Sequence, residues 1–294
     1  MKVTNKKLNV TVVASSQKLV QGALELFVSY AREAIEKRER FCVAISRHIP
    51  TPFFKLLGEQ TQSKTLLWDK IHLFWVDECC GSPDLASNNY NLEAHSFIAK
   101  VGIPVENVHR IYSENPSCRC VASIYEQTIY NVVGFRKNGI PRFDLIMLRM
   151  GADGHVASLF PDTYAFFDTN DLVCVIYSMD SRYTRITLTN PVLCAASHIA
   201  VLVHGEKKAA TLREVLTSEP DEVRYPIHAI WPILDRVTWL VDRNAAKFLL
   251  PQHRLDKVVR RNSRSTEPYE RLQQMVLVWN RLISNLDLNG KGEK

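Results

Sequence analysis

Phe143-Asp144-Leu145-Ile146-Met147-Leu148-Arg149-Met150-Gly151-Ala152-Asp153-Gly154-His155-Val156-Ala157-Ser158-Leu159-Phe160-Pro161 begins as an apolar run and ends as a polar turn. Phe143 to Leu148 has the length and apolar content of a strand buried on both faces, and Gly151-Ala152-Asp153-Gly154 breaks it. Such strands belong to parallel sheets, and in open α/β sheets ligands bind beyond the carboxyl ends of the strands. His155 follows at once, an imidazole whose ordinary pKa suits proton transfer near neutrality. Taken alone, the run fits an ordinary strand-turn with a polar His as well as it fits a site.

Outward from this run the chain alternates. Strands are expected at Leu8 to Val13, Phe41 to Ile45, Ile71 to Val76, Val108 to Ile111, Leu172 to Ile176, Arg185 to Leu188, Ile199 to Val203 and Val237 to Val241. A helix capped by Ser15 or Ser16 runs to about Arg38, with Leu19, Ala23, Leu26, Phe27, Tyr30 and Ala34 at helical spacing. Further helices are expected from Thr51-Pro52 through Leu57, Asn88 to Ala99, Val121 to Val133, Gly205 to Leu216 and Asn244 to Leu250. The alternation predicts an α/β fold: a Rossmann-like open, mostly parallel sheet with helices on both faces. Residues 1–250 read as one domain, because no Pro/Gly/Ser linker interrupts them. Residues 251–294 read as a basic extension, with nine Lys/Arg against five Asp/Glu and one amphipathic helix over Tyr269 to Leu286.

Composition narrows the function classes. The chain has 294 residues, 46% hydrophobic and 23% charged, with a formal charge of +6. That charge suits an anionic small molecule and falls short of the concentrated basic patch of a nucleic-acid binder. Its seven cysteines are odd in number and irregularly spaced, with no Cys-x-x-Cys pair, which predicts reduced thiols. No long apolar segment suggests a leader or membrane anchor, so a cytoplasmic protein, monomer or homodimer, without membrane contact is expected.

The Gly-x-Asp-Gly-His-x-Ala-Ser-Leu-Phe-Pro portion of the opening run resembles the 6-phosphogluconolactonases. The likeness extends over about Leu8 to Leu250. Ser46-Arg47-His48-Ile49-Pro50-Thr51-Pro52 is similar to the family's phosphate turn, with Arg47-His48 in place of a glycine pair. Val76-Asp77-Glu78-Cys79 followed by Ser87-Asn88-Asn89-Tyr90 is similar to its Val-Asp-Glu-Arg and Ser-Asn-Tyr segments, with Cys79 in place of the Arg. Arg185-Ile186-Thr187-Leu188-Thr189 with Pro191, and Gly205-Glu206-Lys207-Lys208-Ala209, match two further motifs. Arg149 stands where the family usually has Gly, either crowding the site or adding charge there.

The resemblance implies hydrolysis of 6-phospho-D-glucono-1,5-lactone to 6-phosphogluconate without metal or cofactor. His155 is the implied general base and Asp153 its loop partner. Ser46, Arg47, Thr51, Asp77, Asn88, Arg185 and Lys208 are the implied contacts to substrate and phosphate. Backbone N–H groups over Gly151 to Gly154 are candidate oxyanion donors. The replaced glycines and the missing Arg strike anion recognition and spare His155, so the alternative is a weakly active or inactive phosphosugar-binding homologue. The amino-sugar-phosphate isomerase/deaminase group shares the Asp-Gly-His but continues toward Ala-Phe-Asn-Glu-Pro, and Ala157-Ser158-Leu159-Phe160-Pro161 argues against it.

Overall fold

The computed structural model describes residues 8–46, 49, 52–60, 66–81, 90, 95–134, 139–161, 171–177 and 184–249. The basic extension 251–294, Arg47, His48, Thr51 and Asn88 lie outside the described residues.

Seven strands form one parallel sheet. In chain order these are β1 (Asn9–Val13), β2 (Phe41–Ile45), β3 (Ile71–Trp75), β5 (Val108–His109), β6 (Leu145–Arg149), β9 (His198–Val203) and β10 (Val237–Asp242). Their spatial order is β1-β10-β9-β6-β2-β3-β5. From β2 the chain builds outward through β3 to β5, then returns to the middle at β6 and builds the other way through β9 and β10. The reversal falls between β2 and β6, and the crevice at such a switch point is where open α/β sheets hold ligands. The opening run therefore supplies the central strand. All residues of β2 and β10, and all but Arg149 of β6, are buried, as a sheet covered on both faces requires.

Helix α1 (Ser16–Arg38) joins β1 to β2. The Ser15 hydroxyl accepts from the Lys18 N–H at its start, and Glu39 ends it in the left-handed conformation. Its apolar stripe buries Leu19, Ala23, Phe27, Ala31 and Ala34. Phe27, wholly buried, meets Phe41 and Phe53 edge to face at 5.4 and 6.1 Å, locking α1 to β2 and to α2 (Pro52–Gln60). Truncating such a side chain to Ala costs about 3–5 kcal/mol.

Three shorter strands lie apart from that sheet; two of them were expected as strands and the Asp77–Cys79 strand was not. β4 (Asp77–Cys79), β7 (Val173–Ile176) and β8 (Arg185–Leu188) form a separate antiparallel sheet in the order β4-β8-β7. The chain changes sheets at Val76, whose N–H donates to the Ile45 carbonyl while its own carbonyl accepts from Leu188 N–H. Tyr125, on α4 (Cys118–Val133), fixes that exit: its buried hydroxyl donates to the Trp75 carbonyl and accepts from the Trp75 N–H.

Other helices differ in extent. α3 (His95–Val101) is the described part of the expected 88–99 helix, and α5 (Asn190–Ala195) was not foreseen. The Gly205 helix divides into a tight turn over Glu206–Lys208 and α6 (Ala209–Thr217). Arg243 to Leu249 forms turns rather than the helix expected from Asn244, organised by the Asp242 carboxylate accepting the Ala245 N–H at 2.8 Å. Not all seven thiols are free: Cys80, just after β4, and Cys118, at the start of α4, are in disulfide contact with Cα atoms 6.4 Å apart. Their 38-residue separation hides the pairing from spacing arguments. No helix among the described residues is long and apolar enough to cross a membrane.

Candidate active site

The Gly151–His155 turn closes on itself. Gly151 N–H donates to the His155 carbonyl, and Gly154 N–H donates to the Gly151 carbonyl. The Asp153 carboxylate accepts both the His155 N–H, at 3.1 Å, and the His155 ring Nδ1, at 2.6 Å. This pairing fixes the tautomer: Nδ1 carries the proton toward Asp153, and Nε2 is the basic nitrogen. Burial alone raises the Asp153 carboxyl, but the His155 hydrogen bond and charge outweigh it and hold the group below its ordinary value. The His155 side chain is 20% exposed, sheltered by the Phe160 ring at 4.7 Å yet open to a ligand.

Two glycines make the turn possible. A Cβ at Gly151 would collide with the His155 ring and with Asp153 Oδ1. Gly154 sits at φ +85°, and a Cβ there would lie 2.8 Å from Tyr225 Cδ1. The turn is buttressed from outside, with Ile227 N–H donating to the Gly154 carbonyl and the Thr211 hydroxyl to the Ala152 carbonyl. Sequence reading missed Tyr225, Ile227 and Thr211, because they approach from elements remote in the chain.

The turn also corrects one expectation. The N–H groups of Gly151, Gly154 and His155 are committed within the loop, so they are not oxyanion donors. The Ala152 N–H makes no internal hydrogen bond among the described residues, whereas the Asp153 N–H turns toward its own carboxylate.

Beneath the loop lies a buried ion pair. The Asp77 and Arg185 side chains are 3% and 13% exposed, and Arg185 Nη2 donates to Asp77 Oδ2 at 2.5 Å. The wholly buried Ser158 bridges them: its Oγ donates to Asp77 Oδ2 at 2.7 Å and accepts from Arg185 Nε at 2.5 Å. Arg185 Nη1 reaches Cys79 Sγ at 2.5 Å. Burial raises the Asp77 carboxyl, but the Arg185 charge, the Ser158 and Arg185 hydrogen bonds and the His155 charge more than offset it, holding it below its ordinary value. Arg185 and Asp77 were read as substrate contacts, and in the fold they grip each other under the Gly151–His155 turn. Glu78, equally buried, accepts the N–H groups of Cys79 and Tyr90 and so caps the chain after β4.

At the switch point, Ser46 joins the two central loops. Its N–H donates to the Met147 carbonyl and its hydroxyl accepts the Arg149 N–H at 3.1 Å. Lys208 stands beyond β9, buried to 7% exposure. Burial first, then the nearby Arg149 charge, push its ammonium down to about 7, with Asp242 opposing. His155, Asp153, Ser46 and Lys208 thus all lie at the carboxyl edge of the central strands β2, β6 and β9. What this edge offers is a fixed base and a cationic flank, the requirements for water attack on an anionic acyl substrate.

Known proteins share this architecture. A family model described as glucosamine-6-phosphate isomerases/6-phosphogluconolactonase matches residues 14–239. A 6-phosphogluconolactonase of Nostoc sp. (strain PCC 7120) is 32% identical over 240 residues, 81% of this chain and 97% of that protein. A probable 6-phosphogluconolactonase 1 of Oryza sativa subsp. japonica is 33% identical over 258 residues, 83% of this chain and 86% of that one. The crystal structure of a devB protein matches with a TM-score of 0.74 at 31% identity, over 82% of this chain and 99% of that chain.

Proposed function

The chain belongs to the glucosamine-6-phosphate isomerase/6-phosphogluconolactonase family, and within it we propose that the protein hydrolyses 6-phospho-D-glucono-1,5-lactone to 6-phosphogluconate. One observation carries the reading: the Asp153–His155 pair at 2.6 Å, which leaves Nε2 as a base on a turn facing the switch-point crevice.

His155 Nε2 takes a proton from water as the water oxygen bonds to the lactone carbonyl carbon. The carbonyl π electrons move to oxygen, forming a tetrahedral oxyanion that the Ala152 N–H can meet. Collapse of the oxyanion breaks the ring C–O bond, and the proton on His155 passes to the departing ring oxygen. The products are a carboxylic acid, which ionises at neutral pH, and a hydroxyl. Asp153 stabilises the imidazolium formed midway. General-base assistance of this kind contributes about 10²–10⁴-fold. Asp77, Ser158 and Arg185 act from below as the platform that holds the Val156-to-Leu159 segment, and Ser46 and Lys208 serve the anionic end of the substrate. The setting that accompanies this reading is cytoplasmic, with a phosphorylated sugar lactone as the partner.

The test is hydrolysis of lactone generated in situ, measured above the spontaneous rate. His155→Ala should lower the enzymatic rate by at least a hundredfold while leaving thermal stability near wild type. Equal rates for the two proteins would defeat the proposal, and binding of 6-phosphogluconate without turnover would favour a phosphosugar sensor.

A further inference from the structure

A planar trans peptide points its C=O and its N–H to opposite sides. The Gly151 carbonyl accepts the Gly154 N–H inside the turn at 3.3 Å, so the Ala152 N–H on the same plane points outward. Ala152 is exposed, which leaves that N–H open to a ligand. The next plane, between Ala152 and Asp153, is held from outside the turn. Its carbonyl accepts the Thr211 hydroxyl at 2.5 Å, across 59 positions of the chain. Among the described residues no other donor meets that carbonyl.

Thr211 stands on α6, which is anchored by the wholly buried Ala209, Leu212 and Val215. A threonine inside a helix often donates to the carbonyl four residues back, as Thr217 does to Arg213 on this same helix. Thr211 reaches across to the turn instead. The segment after α6 is bonded to it. The wholly buried His228 places Nε2 2.9 Å from the Val215 carbonyl, and its Nδ1 accepts the Asp221 N–H at 2.7 Å. A carbonyl only accepts, so Nε2 carries the ring proton. One residue earlier, Ile227 N–H donates to the Gly154 carbonyl. The two outside clamps on the turn, at Ala152 and at Gly154, therefore come from one packed body.

We infer that Thr211 is a positioning residue for the hydrolytic step: by holding the Ala152–Asp153 peptide plane it keeps the Ala152 N–H aimed at the developing oxyanion and Asp153 seated against His155. The inference rests on the hydrolase reading above for the identity of the reaction. Ala152 lies between two peptide planes, one held from within the turn and one held by Thr211. Without the hydroxyl the second plane can rotate, through Ala152 ψ and Asp153 φ, and it carries both residues with it. An oxyanion donor acts only when aimed at where the charge develops, so such a rotation costs rate rather than binding. Thr211 touches neither water nor substrate; it acts through the backbone.

The test compares wild type, Thr211→Val, Thr211→Ser and Thr217→Val as full chains. Val keeps the shape of Thr without the hydroxyl, Ser keeps the hydroxyl, and Thr217→Val removes a hydroxyl from the same helix away from the turn. Lactone generated in situ gives kcat and KM, and hydrogen exchange read by mass spectrometry reports on the turn independently of activity. Thr211→Val should lower kcat by about ten- to a hundredfold with KM little changed. It should also speed exchange over residues 151–155 severalfold, with thermal stability near wild type. Thr211→Ser should recover most of kcat, and Thr217→Val should match wild type in both measurements. A Thr211→Val protein with kcat within threefold of wild type, or a Thr211→Ser protein as slow as Thr211→Val, would overturn the inference. A loss carried by KM alone would overturn it too, since it would put Thr211 at substrate binding. Wild type that leaves the lactone at its spontaneous rate would sink the hydrolase reading; faster exchange in Thr211→Val would then still keep Thr211 as the clamp on the turn, and unchanged exchange would remove it.

Discussion

Replacing Gly151 with Ala adds one methyl group, and the structure says where it goes. The new Cβ would stand 2.5 Å from Asp153 Oδ1 and closer still to Nδ1 and Cε1 of His155, whereas ordinary contact begins near 3.4 Å. Gly151 is not among the positive-φ glycines, so its backbone accepts Ala without strain. The clash falls on the two side chains of the Asp153–His155 pair, proposed above as the base and its partner, and they must withdraw by about 1 Å or more. A misplacement of about 1 Å costs on the order of 10²-fold in rate, because the base no longer meets the attacking water in line. Gly151→Ala should therefore lower kcat by about a hundredfold, with KM little changed because the phosphate end is untouched. Stability should fall by roughly 1–3 kcal/mol, the usual cost of overpacking. The assay is lactone hydrolysis above the spontaneous rate, with a urea unfolding curve on the same preparation. A folded Gly151→Ala protein with kcat within threefold of wild type would refute the argument that the Asp153–His155 pair sits over Gly151.

Two further outcomes follow from the buried charges. Arg185→Met removes one partner of a buried pair and strands Asp77, which should cost about 3–5 kcal/mol in urea unfolding at pH 7; a loss under 1 kcal/mol would contradict the ion-pair geometry. Because the folded-state value of Asp77 lies below its ordinary 3.8, its contribution is present above that pH and disappears as pH falls through the folded value. For Lys208 the sign is opposite: the unfolded chain keeps its proton up to about 10.5 and the folded chain releases it near 7, so stability rises with pH between the two. A phosphate dianion needs the charged ammonium, so 6-phosphogluconate binding at pH 8 should take up a proton. Calorimetry in buffers of different ionisation heat reads this uptake, and its absence at pH 8 would show that burial does not depress Lys208.

Much of the fold was legible because its signals are local. A run such as Phe41 to Ile45 cannot be solvated on either face, so it declares a covered parallel strand wherever it sits. Thr51-Pro52 and Ser15 announce helix starts by their own backbone chemistry. The β4 strand was not legible: Asp77-Glu78-Cys79 has no apolar alternation and is extended only because Arg185 to Leu188 lies alongside it. Asn244 to Leu250 misled in the other direction: Asp242 caps its start through the Ala245 N–H, but Lys247 and Leu249 then donate three residues back, to Asn244 and Ala246, closing turns instead of a helical ladder.

The Gly151–His155 turn shows the same division. Sequence by itself determined that a central strand ends in Gly-Ala-Asp-Gly-His and that His155 stands at the carboxyl edge of a parallel sheet, because strand length, glycine placement and residue chemistry are properties of neighbouring residues. Only the tertiary structure decided that Arg185 grips Asp77 from 108 positions away, that Ser158 bridges them, that the loop's own glycine N–H groups are already bonded, and that the Lys208 ammonium is buried. An ion pair or a hydrogen bond falls off within a few ångströms, so which charges meet depends on strand order and register. Those are set by the packing of the whole sheet and by no single stretch of the chain.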